Sequence, residues 1–225
     1  LRHSDFWLLL LTIVLGLTST AVYLLPADTV IAEQYGRGAI LTLTLAATLA
    51  TFGGLVVEDM TGKTLHRRLL LAWSGLNLLW LVGLIAGMSL SDTALISQAN
   101  WLSAGQNPDA PTVIAIVGLV VNGLILLGVG FYIFYDAILP EVANRALFWI
   151  LITATILMGI VLTGSGTDSL AMIGQIAMFF GISGAVYAQT THRVVDLRGD
   201  LSRTFSVLAL VAVFSVILFL SFYFV

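Results

Sequence analysis

Hydrophobic and polar positions in this chain fall in blocks. Seven continuous apolar stretches run over 6–25, 38–57, 69–90, 111–135, 146–163, 169–190 and 204–225. Each is near the ~20 residues a helix needs to cross ~30 Å of hydrocarbon. The fifth is the shortest. Barrel strands would alternate apolar and polar positions over roughly ten residues, and these runs do not alternate. Helices also satisfy their own backbone groups, as lipid requires. The pattern predicts an all-α polytopic membrane protein: a seven-transmembrane-helix bundle forming a single membrane-embedded domain over 1–225.

The connections between runs are short, with one exception. Residues 91–110 are polar, lack Lys and Arg, and contain Trp101. They read either as an interfacial segment anchored by Trp101 or as a plain solvated loop. Pro26 and Pro140 fit helix ends, and Asp168 or Ser169 fits an N-cap. No small-residue cleavage site follows the first run, which predicts a retained helix rather than a signal peptide. No internal repeat or soluble domain is visible.

Charge supplies an orientation. Only 9% of residues are charged and 59% are hydrophobic, against about 25% charged in soluble domains. The mean hydropathy is +1.05. With seven spans, the connections form two sets. One set, the N-terminus with 58–68, 136–145 and 191–203, holds Arg2, Lys63, Arg67, Arg68, Arg145, Arg193, Arg198 and Arg203. The other holds only Arg37. The positive-inside rule counts Lys and Arg, so the reading is a multi-pass protein of a plasma (inner-type) membrane, N-terminus cytoplasmic and C-terminus external. No basic run is long enough to track a nucleic-acid backbone. With no cysteine, thiolate and disulfide chemistry are excluded.

The spans contain essentially no ionisable residue. Glu58, Asp59 and Asp136 fall at span ends, where water and headgroups are expected to reach them. Coupled transporters usually need midplane carboxylates or broken helices, and no span has an interior proline. His3, His66 and His192 lie at or near span ends, so no imidazole pair is placed to ligate haem. No metal site is predicted; His66 with His192 is the alternative, although their spacing matches no zinc pattern. No catalytic set is complete.

Neutral polar and aromatic residues do enter the spans. Trp73, Asn77 and Trp80 share one face of the third by i, i+4, i+7 spacing. Asn122 lies in the fourth, among Gly118, Gly123, Gly128 and Gly130. Gln175, Ser183, Tyr187 and Gln189 lie in the sixth. One reading is helix–helix glue, small residues giving close approach and amides bonding across interfaces. The other is a cofactor-binding pocket lined by Trp73, Asn77, Trp80, Asn122, Gln175, Ser183 and Tyr187. No cofactor is predicted outright; a bound lipid, quinone or pigment would be the occupant of such a pocket. Glycine faces recur at Gly83–Gly87, Gly159, Gly174, Gly181 and Gly184. The last run has no glycine and many large side chains, as expected of a peripheral helix facing lipid or a partner.

The segment Gly181-Ile182-Ser183-Gly184 resembles the serine-bearing motif of rhomboid intramembrane proteases. That resemblance implies Ser183 in the nucleophile position, activated by a histidine on a later helix. The final run contains no histidine, and the family's Trp-Arg pair is missing from the first long external loop. The resemblance therefore implies an inactive relative.

Three functions are open on these residues. The first is a non-catalytic integral membrane subunit or lipid/cofactor-binding scaffold, with membrane lipids, other membrane subunits or a second copy as partners. The second is a transporter or channel for a neutral or lipidic solute. The third is a rhomboid-like intramembrane protein without activity. An enzyme is the less favoured class.

Overall fold

The computed structural model describes residues 3–24, 37–60, 66–90, 110–165 and 168–191. Among these lie six long helices: α1 (His3–Leu24), α2 (Arg37–Met60), α3 (His66–Leu90), α4 (Ala110–Asp136), α5 (Pro140–Thr163) and α6 (Asp168–Thr191). All six are long and apolar enough to cross a membrane. The expected seventh span, 204–225, and the segment with Trp101 lie outside the described residues.

Hydroxyl groups are accommodated inside these helices by bonding back to the preceding turn. Thr12 donates to Leu8 O, Thr48 to Thr44 O, Thr153 to Trp149 O and Thr163 to Gly159 O, at 2.7–2.8 Å. A hydroxyl that donates its hydrogen bond to the i−4 carbonyl needs no water, so the many threonines do not argue against burial in oil.

The helices run up and down. Each packs on the next in sequence, and α1 closes the ring against α6. α2 also touches α4 and α5, which places it at the centre. Its span is 67% buried, against 22% for α3. Phe52, Leu45, Leu49 and Leu55 of α2 are completely buried, as is Trp149 of α5. Phe52 and Trp149 face each other with ring centroids 6.1 Å apart.

The closest approach is between α5 and α6. A Cβ on Gly159 would lie 2.8 Å from Gly174 O, and one on Gly174 would lie 2.5 Å from Thr163 N. Gly181 and Gly184 continue the same stripe against Ile156 and Ile152. Small residues at such positions let backbones come together where lipid gives no hydrophobic drive for association. The approach of α3 to α4 is looser: Gly83 faces the Ile114 side chain, and Gly87 faces Ile114 and both the Cα and the ring of Pro111 at ordinary contact or slightly closer.

The start of α5 differs from expectation. The helix begins at Pro140 rather than 146, and only 137–139 separate it from α4. Pro140 occupies the first turn, with Leu139 extended at the N-cap and its carbonyl accepting from Val142 and Ala143. Proline suits that position because its missing N–H is not needed there. Arg145 is thus a helical residue, not a loop residue.

Candidate functional site

The predicted face of α3 exists. Trp73, Asn77 and Trp80 are buried, and Leu84 and Gly87 extend the stripe. Trp73 donates from Nε1 to Ala50 O of α2 at 2.8 Å, and its ring fills the space a side chain at Gly53 would need. Trp80 donates to Ile114 O of α4 at 3.0 Å and lies over Gly118. The two tryptophans therefore fasten α3 to different neighbours, with Asn77 between them.

Asn77 and Asn122 use the same local device. Asn77 Nδ2 donates to Trp73 O at 3.0 Å, and Asn122 Nδ2 to Gly118 O at 2.8 Å. Each amide nitrogen is held on its own helix one turn back. The carbonyl oxygens, Oδ1 of both residues, are buried and accept no hydrogen bond among the described residues. Asn77 is 3% exposed and Asn122 1%.

Gln175 belongs to a second network, nearer the end of the bundle where α1 and α5 finish and α6 begins. Its Oε1 accepts from Thr20 of α1 at 2.8 Å, and its Nε2 donates to the Thr163 hydroxyl of α5 at 3.3 Å. That network ties three helices together, as the glue reading expects of an amide. The remaining members of the predicted pocket lie elsewhere. Tyr187 is largely exposed and packs edge-on against Phe148. Ser183 is half-buried on α6, between the glycines that meet α5. Gln189 is buried near the end of α6, with Oε1 unbonded among the described residues. The histidine readings fall on His66, whose side chain is not described, and on His192, outside the described residues. Among the described residues, no group of three or more His, Asp or Glu is placed to hold a metal.

One cluster is not visible in the sequence. Asp59, at the end of α2, pairs with Arg145 of α5 through two hydrogen bonds, Arg145 Nε to Oδ2 being 3.0 Å. Trp149 Nε1 donates to the same Oδ2 at 2.6 Å. The Asp59 side chain is only 2% exposed, and Glu58 beside it is 7% exposed. These carboxylates were expected to meet water at a span end. Instead Arg145 and Trp149, one helical turn apart on one face, cover Asp59. Asp136 is exposed. The i, i+4 spacing of Arg145 and Trp149 was the available signal; the partner on α2 had none.

No protein-family model, curated protein or solved structure matches the chain.

Proposed function

We propose that the chain is a non-catalytic integral membrane subunit, a rigid helical frame whose outer faces take lipid and partner helices. What supports the reading is the contrast between an interior packed largely with apolar and aromatic side chains and a broad apolar exterior. Inside, Phe52, Trp73, Trp80 and Trp149 occupy the spaces between helices, and two of these indoles are bonded to backbone. Outside, α3 presents Leu71, Leu78, Leu79, Val82 and Ile85, and α6 presents Ile173, Ile176, Phe179 and Phe180. Such surfaces suit lipid tails or the apolar face of another transmembrane helix. The frame sits in an inner-type membrane on this reading, with the Asp59–Arg145 end toward the cytoplasm by the distribution of Lys and Arg.

The test is the state of the protein extracted from its native membrane in a mild detergent, on native gels and by light scattering. The reading expects a complex with other membrane subunits or a second copy. A monomer that conducts a neutral solute in liposomes would replace it with the transport reading.

A further inference from the structure

We propose that Asn77 and Asn122 together form a binding site at mid-depth in the bundle, where α3 and α4 meet α2, for one small neutral molecule that donates two hydrogens. The site takes either water or a neutral solute presenting an NH2 group or paired hydroxyls.

The helix register brings the two amides to one depth. On antiparallel α3 and α4, Trp80 bonds Ile114 O and overlies Gly118. Asn77 lies three residues from Trp80 toward the Arg145 end, and Asn122 four residues from Gly118 in the same direction. At 1.5 Å per residue these offsets differ by about 1.5 Å. Both residues also lie near the midpoints of their spans, Arg68–Ser89 and Ala110–Asp136. Trp73 meets Ala50 and Gly53, so one turn along α3 Asn77 is level with Ala46 and Leu49 of α2, which are buried and apolar.

The orientation of each amide follows from its partner. The i−4 carbonyls of Trp73 and Gly118 are acceptors, so they take the NH2 and leave Oδ1 as the forward atom. Two such oxygens buried in hydrocarbon are costly unless a donor reaches them. The ligand class follows by elimination. An anion would face acceptors. A cation would lack counter-charge: Glu58 and Asp59, the carboxylates at the end of α2, are nine and ten residues from Leu49, about 14 and 15 Å of helical rise away, and Asp59 is already paired with Arg145. A neutral group with two hydrogens satisfies both oxygens at once, as buried waters commonly do.

The full chain in lipid bilayers tests this with Asn77→Leu, Asn122→Leu and the double variant. One shared molecule predicts that each single variant lowers Tm, and that the double lowers it no further than the worse single. Additive losses would overturn the shared site. Solid-state NMR of asparagine-labelled protein, with magnetisation passed from water protons, then identifies the occupant. Transfer to both side-chain carbonyls, lost at either residue when the other is Leu, identifies water. Without transfer, a neutral compound released on denaturation of the wild type and missing from the double variant identifies a solute. Coupling with neither outcome means that the amides bond each other directly, and the site does not exist. If the variants fail to fold, a density map of the wild type decides: a peak within hydrogen-bond distance of both Oδ1 atoms supports the site, and its absence refutes it.

Discussion

A single methyl group measures how tightly α5 and α6 are joined. At Gly174 it would stand 2.5 Å from Thr163 N and 2.6 Å from both Gly159 O and the Thr163 hydroxyl oxygen. Two of these atoms are backbone and cannot turn aside. Gly174→Ala is expected to cost about 1–3 kcal/mol through overpacking, seen as a lower Tm in detergent. At Gly128 a Cβ would meet nothing within 4 Å. Gly128→Ala should therefore be neutral, or stabilising by up to about 1 kcal/mol through helix propensity. Equal effects at the two sites would contradict the packing described. The same scale shows what spacing could and could not reveal. Trp73, Asn77 and Trp80 were legible as a face because their separations match a helical stripe. Tyr187 was equally conspicuous in composition, yet it faces outward. Nothing in one helix's own sequence says which of its faces meets a neighbour when both are apolar.

Between elements, stability depends on a few polar ties of different worth. Gln175→Leu removes the link among α1, α5 and α6, and a loss of roughly 0.6–2 kcal/mol is expected from interhelical hydrogen bonds of this kind. The Asp59–Arg145 pair should matter more. Arg145→Met would strand a carboxylate that is almost wholly buried. Breaking a buried pair costs about 3–5 kcal/mol, and the lower figure is expected because 33% of the Arg145 side chain stays exposed. Adding Asp59→Asn to Arg145→Met should recover much of that loss, read by thermal unfolding of the singles and the double. A double variant as unstable as the sum of the singles would show that the two residues act separately. This pair was hidden in the sequence because its members are 86 positions apart. The start of α5 was hidden for a local reason: Pro140, Glu141, Asn144 and Arg145 dilute the apolar pattern, so the run looked shorter than the helix.

At the scale of the molecule, the sequence pattern was most informative where solvation decides. Six of the expected spans correspond to helices, because an apolar run near membrane thickness has few other stable forms. Composition could not order those helices around α2 or say which polar residues meet. Those outcomes depend on contacts between distant segments, among them Trp80 on Gly118 and Gly159 on Gly174. The frame accounts for the arrangement only if its basic ends share one side of a bilayer. The 225 residues contain no cysteine, so the decisive measurement uses single cysteines introduced at Lys63 and at Gly105, labelled in whole cells with a membrane-impermeant maleimide. The account predicts reaction at position 105 in intact cells, and at position 63 only after the membrane is opened. Reaction at both positions from the same side would contradict it.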